Sequence, residues 1–434
     1  MPDQIKLIDM QALWRRVLLL AFVALVWIGV WFGARWGFGN SIAQFAPDME
    51  VAQFAARLAP DDPQPQFSLA VLQRRSLLPE ALPQALRHYE EAARLSPHDY
   101  RLWMELGRVR GQTGDFDGGA AALRRAAELA PFYSLPRWYL GNLLLRAERT
   151  DEAFAELRRA AAADPGLRSQ VFNLAWRVFD ANVPSVVAAV GNSAVMRAEL
   201  TAYLLNQKRL DDARKLWLSL NRAEREEHRP VGEALLRALV EAKRFHAALE
   251  AGREIAPEAT PEMGRLLNGG FEDEVGPPGR SFWGWQIAPA AQMQVGLDAR
   301  LRHGGARSLR LVLDAYSLSS ITNVSQLIAV EPGARYRLRY SVRTEDLKSL
   351  STLLTEIVDA GADAAGRMLA TAQPLVNGTS DWQTATLEFN ASAQTEAIIV
   401  RLNRAPCPAQ ICPLFGKVWY DDFDLQRAGD VGAR

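Results

Sequence analysis

The sequence is poor in cysteine and histidine and has no excess of either charge. Its 2 cysteines and 5 histidines exclude a disulfide-dense scaffold and a cysteine-rich zinc site. Lysine plus arginine number 50, as do aspartate plus glutamate, so the chain lacks the basic excess typical of nucleic-acid-binding proteins. It contains no His-Glu-x-x-His, phosphate-loop or Gly-x-Ser-x-Gly motif. We therefore expect a non-catalytic protein with no nucleic-acid partner.

The composition is globular, with 49% hydrophobic and 23% charged residues. A chain of 434 residues exceeds one ordinary domain. Three regions of different pattern follow one another, and they predict a multidomain protein: a membrane anchor, an all-α region and an all-β region.

The first region is an uncharged stretch between Arg16 and Arg35. Residues 17–34 read VLLLAFVALVWIGVWFGA. As a helix this stretch would span about 27 Å, close to the hydrocarbon thickness of a bilayer. We predict an uncleaved transmembrane anchor. The alternative is a cleavable signal peptide, although its apolar part is normally shorter and Ser41-Ile42-Ala43, which is similar to a cleavage site, lies far downstream.

The charges before this stretch predict its orientation. Lys6, Arg15 and Arg16 precede it, and the positive-inside rule places residues 1–16 in the cytoplasm. The expected location is the bacterial inner membrane, crossed once, with the bulk of the chain in the periplasm.

The middle of the chain contains a fixed period. Prolines recur every 34 residues, and small residues recur in the same register. Small side chains let antiparallel helices approach closely, and a proline ends the second helix of a unit. The period therefore indicates a helical repeat. The matching positions are Pro63, Pro97, Pro131 and Pro165; Ala85, Gly119 and Ala153; and Ala92, Ala126 and Ala160.

This pattern resembles the tetratricopeptide repeat. Trp103, Leu106 and Gly107 stand at matching positions, together with the closing prolines. Three repeats match over about residues 66–167, although the first has Gln73 in place of the glycine.

The array extends beyond the clear repeats. A helix at Met49–Leu58 is similar to a half-repeat cap, and residues 168–191 are expected to form an irregular helix pair. Segments 196–220 and 232–255 have the apolar pattern of helical hairpins but lack the prolines and small residues that recur in the clear repeats. We predict a helical array over residues 49–258 that forms a short superhelix.

The resemblance implies that the first helix of each repeat lines a concave face. Arginine and asparagine there would hold an extended peptide or an acidic segment of a protein partner. The alternative is an ordinary solvated helix face. The candidate groove residues are Arg74, Arg108, Asn142, Met104 and Trp138. Ala70 stands at the repeat position equivalent to Met104 and Trp138.

After Pro261 the pattern changes to period-two alternation, typical of strands. In residues 335–343, tyrosine and aliphatic residues alternate with arginine. Eight short strands separated by turn residues favour a two-sheet jelly roll. They are predicted at 292–295, 308–313, 320–330, 335–343, 353–358, 384–390, 397–403 and 417–425.

Short motifs in this region follow a particular order. They are Asn268-Gly269-Gly270-Phe271-Glu272, Gly284-Trp285, His303-Gly304-Gly305, Gln326-Leu327-Ile328, Pro332-Gly333-Ala334, Asp381-Trp382 and Trp419-Tyr420-Asp421-Asp422-Phe423. The order resembles the galactose-binding-like jelly-roll carbohydrate-binding modules attached to many bacterial glycosidases. The match covers residues 265–427, and residues 428–434 are expected to be a disordered tail.

The resemblance implies sugar binding through exposed aromatic rings that stack on pyranose faces. The alternatives are that these rings pack inside the sandwich, or that the module has become a protein-binding or structural domain. The candidate rings are Trp283, Tyr316, Trp382 and Trp419.

The resemblance also implies a bound calcium ion. Alternation on the last strand places Asp421 on the apolar face of Trp419 and Phe423, where an ionised carboxylate needs a cation or hydrogen-bond donors. In the resembling modules a calcium ion ties the first strand to the last. The matching residues here are Glu272 and Asp421, with backbone carbonyls completing the shell. The alternative is that Asp421 accepts backbone hydrogen bonds only.

Cys407 and Cys412 are predicted to form a disulfide, because both lie on the side expected to be periplasmic. The alternative is two free thiols in a cytoplasmic protein.

These observations favour a membrane-anchored periplasmic scaffold. Its repeats would bind a protein partner, and its β module would contact an envelope or exported polysaccharide. Two other hypotheses stay open: a cryptic carbohydrate-active enzyme with paired carboxylates, and a structural assembly protein whose β module binds only protein.

Overall fold

The computed structural model describes residues 13–76, 78, 80–276, 281–289, 292–315, 321, 323–362, 367–409 and 411–429. The chain divides into two compact units, Met1–Asn192 and Ser193–Arg434. The last helical hairpins therefore group with the β-strands and not with the first repeats.

The first unit begins with an exposed apolar helix, α1 (Leu13–Gln44), which contains the predicted span 17–34. Its mean hydropathy reaches 2.5 over an 18-residue window, so it is long and apolar enough to cross a membrane; a signal sequence would pass the same test. The last turns of α1 are partly buried, at Gly39 and Ala43. Gly39 is buried so closely that an added Cβ would lie 2.8 Å from the Ala59 Cβ.

Nine further helices complete the described part of the first unit. Aspartates begin several of them: the side chains of Asp62, Asp99 and Asp115 each accept a hydrogen bond from a backbone N–H of the following first turn. The helices are α2 (Met49–Leu58), α3 (Pro63–Arg75), α4 (Ala81–Leu95), α5 (Tyr100–Gln112), α6 (Phe116–Leu129), α7 (Ser134–Arg146), α8 (Thr150–Ala163), α9 (Arg168–Val178) and α10 (Val183–Val190).

The recurring small residues allow the helices of a repeat to pack closely, as the sequence predicts. A Cβ on Gly107 of α5 would lie 2.6 Å from the Leu123 Cγ and 2.8 Å from the Gly119 carbonyl oxygen, both on α6. Any larger side chain at this position would separate the two helices. The small residues of the two columns are all buried: Ala85, Gly119, Ala153, Ala92, Ala126 and Ala160.

The second unit begins with five helices. The two predicted hairpins are present, and a short helix that was not predicted lies between them. The helices are α11 (Ala194–Asn206), α12 (Leu210–Leu218), α13 (Arg222–Glu227), α14 (Arg229–Glu241) and α15 (Phe245–Ile255).

Two five-stranded antiparallel sheets follow. The first sheet has the order β1-β4-β9-β6-β7 and the second β2-β3-β10-β5-β8. The eight predicted strands are all present, and the two that were missed, β1 and β7, are short. The strands are β1 (Gln286–Ile287), β2 (Met293–Asp298), β3 (Ser308–Ala315), β4 (Val324–Ala329), β5 (Arg335–Ser349), β6 (Leu353–Asp359), β7 (Arg367–Thr371), β8 (Gly378–Asn390), β9 (Ala397–Arg404) and β10 (Leu414–Arg427).

The alternation of β5 fixes which face of the second sheet is buried. Leu338 and Tyr340 lie in the core between the sheets. Arg335 and Arg337 point away from that core, and both pair with Glu388 of β8. The fold is thus a helical region followed by a β-sandwich, as predicted.

Candidate binding surfaces

Successive repeats bring the two predicted groove arginines to one acidic residue. Arg74 of α3 donates from Nη1 to Glu105 Oε2 at 2.7 Å, and Arg108 donates from Nη1 to Glu105 Oε1 at 2.6 Å. Glu105 was not predicted as a groove residue, although its position three residues before Arg108 on one helix suggests such a pair. The three ionised side chains carry a net charge of +1, so the arginines do not form a bare basic ladder.

The residues around this triad are partly buried. The guanidinium of Arg108 lies 4.4 Å from the ring centre of Tyr139 on α7, a cation–π contact that extends the row to the next repeat. Tyr89 is fully buried, and burial raises its pKa to about 12, so its phenol stays neutral at physiological pH.

The remaining groove candidates are less available for a partner. Met104 packs against the core cluster that contains Leu123 and Leu140. Asn142 donates from Nδ2 to the backbone carbonyl of Trp138 at 2.8 Å. Trp138 and Asn142 are half-buried, and the column neighbour Ala70 is fully buried.

Two of the four predicted sugar-binding rings are wrong, because the structure buries them. Trp283 is 2% exposed and lies against helix α15, where a Cβ on Gly252 would be 3.6 Å from the indole Nε1. Trp419 is also 2% exposed, and its Nε1 donates to Asp298 Oδ2 at 3.0 Å. Neither ring can stack on a sugar. Tyr316 lies outside the described residues.

Trp382 on β8 is the remaining candidate, and it is half-exposed. Its ring makes an edge contact with His303, with ring centres 5.6 Å apart. The neighbouring Asp381 accepts a hydrogen bond from Arg343 Nη1 at 2.5 Å.

The predicted face of Asp421 is wrong in part: Asp421 shares the face of Trp419, as predicted, but not that of Phe423. Phe423 lies in the core, whereas Asp421 alternates with the core residue Tyr420 and therefore takes the opposite face. The cause is a β-bulge: the pairing of β10 with β5 shifts between Asp421 and Asp424, and Asp422 has a φ of +52°. The extra residue reverses the alternation that the sequence pattern assumed.

Asp421 is nevertheless fully buried and well provided with donors. Its Oδ2 accepts from the backbone N–H of His303 at 2.8 Å and of Gly304 at 3.1 Å, and its Oδ1 accepts from the N–H of Asp422 at 2.8 Å. Burial raises the pKa of Asp421, and these three donors act in the opposite direction. This is the arrangement expected if backbone hydrogen bonds alone satisfy the carboxylate.

Two further carboxylates, those of Glu272 and Asp422, contact the loop of residues 303–306 that also binds Asp421. Both oxygens of Glu272 accept from the N–H of Ala306, at 3.0 and 2.8 Å. Asp422 Oδ2 lies 2.5 Å from His303 Nδ1. A side chain on Gly305 would collide with Glu272, since its Cβ would lie 1.8 Å from Oε1. The Glu272 side chain would have to move, and the positive φ of Gly305, +52°, independently favours glycine at this position.

The fit of calcium to these residues is partial. Three carboxylates around one loop carry more negative charge than His303 can balance, which favours a cation. Yet the described residues contain no group of three or more His, Cys, Asp or Glu side chains that could hold a metal ion. Calcium at Glu272 and Asp421 therefore stays a prediction.

The predicted disulfide between Cys407 and Cys412 is present. Cys412 lies beside the buried guanidinium of Arg404, which donates to the Cys412 carbonyl at 2.9 Å and to the Pro413 carbonyl at 3.2 Å. The disulfide thus fixes a residue whose carbonyl compensates this buried charge.

The helical region matches a known family. The model of the tetratricopeptide repeat matches residues 80–134 and 105–167, which contain α4 to α8. Helices α4 to α8 are thus similar to tetratricopeptide repeats. No curated protein matches the chain.

Solved structures with a similar fold include two β modules and one repeat protein. A CBM4 structure has 15% identity over 37% of this chain and 99% of its own, with a TM-score of 0.27. A CBM61 in complex with β-1,4-galactotriose has 18% identity over 38% and 99%, with a TM-score of 0.26. YrrB, a TPR protein with an unusual peptide-binding site, has 17% identity over 48% and 93%, with a TM-score of 0.25.

If calcium binds between Glu272 and Asp421, a chelator should lower the melting temperature of the 193–434 unit. Removing the ion would leave the acidic group uncompensated, and each kcal/mol lost corresponds to about 2–4 °C for a unit of this size. Calorimetry with a chelator, and then with excess calcium, measures the loss and its recovery. Glu272→Gln should abolish the response. An unchanged melting temperature would mean that the backbone donors suffice.

Proposed function

We propose that the protein is a non-catalytic scaffold anchored in the bacterial inner membrane. Its repeats bind a protein partner in the periplasm, and its β module contacts an envelope or exported polysaccharide. The observation that carries this proposal is the combination, in one chain, of an exposed apolar helix, matched tetratricopeptide repeats and a β-sandwich.

The anchor is supported by the exposed surface of α1. Its large apolar side chains from Leu13 to Phe38 are mostly exposed, which is costly in water and favourable in a bilayer. We expect a reporter enzyme that is active only in the periplasm to be active when fused after Arg434. A cytoplasm-only reporter at the same position is the control, and its activity would show that the proposed orientation is wrong.

Protein binding by the repeats is supported by the row of Arg74, Glu105 and Arg108 across two first helices. Its net positive charge and its neighbouring ring suit an extended segment that carries carboxylates. Because Glu105 holds both arginines, mutating the arginines alone would leave an unpaired acid and disturb the fold.

A charge-inverted triad separates binding from stability. In Arg74→Glu/Glu105→Arg/Arg108→Glu the ion pairs persist while the net charge changes from +1 to −1. We expect partner capture from the native envelope fraction to fall at least tenfold, with only the small drop in melting temperature that loss of the Arg108–Tyr139 contact causes.

The matched control inverts the exposed pair Arg125–Glu128 on the second helix α6. Arg125→Glu/Glu128→Arg should capture the partner normally. Equal loss in both variants, or none in either, would place the partner elsewhere.

Saccharide binding by the β module is supported by the ordered motifs and by the sandwich that they form. The unit 193–434 is the suitable fragment, because a fragment starting at residue 265 would expose the contacts with α15. On an array of neutral and acidic glycans that includes β-1,4-galactotriose, we expect this unit to bind at least one glycan class. If no glycan binds, the β module is a protein-binding or structural domain.

A further inference from the structure

Three large aliphatic side chains of the described residues stand exposed at one end of the β-sandwich. Leu350 is 66% exposed, Val376 83% and Ile411 70%. We call these three side chains the apolar tip. They come from three loops that the strand pairing brings to the same end of the two sheets. The loops are 350–352 between β5 and β6, 372–377 between β7 and β8, and 405–413 between β9 and β10.

Ser349, at the end of β5, ties these loops together. Its backbone N–H donates to Asn377 Oδ1 at 2.9 Å, and Asn377 Nδ2 donates to the Ser349 carbonyl at 2.8 Å. The Ser349 Oγ lies 2.7 Å from the Pro413 carbonyl oxygen. The disulfide between Cys407 and Cys412 closes the third loop. The apolar tip is thus presented by loops that are bonded to one another, so little conformational entropy is lost when it is covered.

The three loops are also uncharged. They contain no Asp, Glu, Lys, Arg or His, although 23% of the residues of the chain are charged. A proline has no backbone N–H, and each unpaired N–H is costly in an apolar medium. Loops of this composition therefore enter an apolar phase at low cost. Their prolines are Pro374, Pro406, Pro408 and Pro413.

The size and chemistry of the apolar tip favour a bilayer over a protein partner. Three aliphatic side chains expose roughly a few hundred Å², whereas a stable protein interface buries about 800 Å² on each partner. Leucine and valine are also under-represented among the residues that dominate protein interfaces. A bilayer needs no matching surface, and a chain anchored by α1 meets it at a high effective concentration, so a weak contact suffices.

We propose that Leu350, Val376 and Ile411 insert into the bilayer that holds α1, so that the β module makes a second contact with the membrane. The insertion is shallow, because Lys348, the charged residue that precedes this end of β5, is exposed and stays among the lipid headgroups. The inference rests on the anchor in the proposed function and is independent of saccharide binding.

The test uses the full chain in vesicles of phosphatidylethanolamine with phosphatidylglycerol. The two native cysteines are bonded to each other, so a cysteine introduced as Val376→Cys can be labelled with nitrobenzoxadiazole. We expect the emission of this label to shift to the blue and to be quenched by nitroxide lipids in the same vesicles. The matched control is Gln394→Cys, which is exposed in the loop after the far end of β8 and should show neither effect.

Removing the other two side chains should release the label. In the Val376→Cys background, Leu350→Ser/Ile411→Ser should lower the quenched fraction about tenfold, because less apolar surface leaves water on insertion. The double variant Met263→Ser/Met368→Ser removes side chains that are 40% and 45% exposed outside the three loops, and it should leave quenching unchanged. All these positions are partly or largely exposed, and melting temperatures verify that each variant is folded.

Three results would overturn the inference. Emission at residue 376 without a blue shift would mean that the apolar tip stays in water. A blue shift that nitroxide lipids do not quench, and that grows with the protein-to-lipid ratio, would mean that a second copy of the chain covers the tip. Quenching only by nitroxide lipids in separate, protein-free vesicles would assign the contact to another bilayer.

Alkaline extraction of the same vesicles tests the anchor by itself. If the chain is retained while the label at residue 376 is not quenched, the inference about the apolar tip fails and the proposed anchor stands. If the chain is released, α1 is not an anchor, and the proposed function and this inference fail together.

Discussion

The packing of helix α15 against the β-sandwich organises the second half of the chain. An ordinary surface helix buries one stripe, but α15 packs on both α14 and the sandwich and so has two buried sides. Gly252 lies at this contact, since a Cβ there would lie 3.6 Å from the indole Nε1 of Trp283. The same contact covers Trp283, which the sequence predicted as an exposed ring. One packing event thus joins the last helices to the strands and buries a predicted sugar-binding ring.

The elements that sequence analysis predicted well are those set by local pattern. The period of 34 residues located the repeat helices, and period-two alternation located eight strands. Both patterns show which side of a helix or strand is apolar. That side must be buried, whichever neighbouring element covers it. The arrangement of the site residues depends instead on contacts between distant segments. Glu105 pairs with an arginine of the preceding repeat, and the bulge at Asp422 reverses an alternation that is regular in the sequence.

Ion pairs hold arginine side chains in place on the repeats, although the chain as a whole is neutral. Glu105 fixes Arg74 and Arg108. A similar arrangement occurs in the next repeat, where Arg137 and Arg159 both contact Glu156. Pairs between exposed side chains contribute little stability, but these carboxylates are largely shielded from solvent. Their main effect is to hold long, flexible arginines in one conformation, so less side-chain entropy is lost when a partner binds. The sequence suggests the pair of Glu105 with Arg108, whereas the pair of Glu105 with Arg74 forms only when successive repeats are stacked.

The continuity of α1 with the array determines what an anchored scaffold of this kind can do. A bilayer span needs about 20 residues, and α1 has 32, so its last turns extend beyond the apolar stretch. Those turns are bonded to α2 and to the start of α3: Arg35 donates from Nε to the Leu58 carbonyl at 2.7 Å, and Asn40 donates from Nδ2 to Asp62 Oδ2 at 2.8 Å. A flexible linker would let the repeats sample a wide volume and would lower their effective concentration at the membrane. If α1 spans a membrane as proposed, its bonds to the following helices would hold the first repeats at a fixed height above the bilayer.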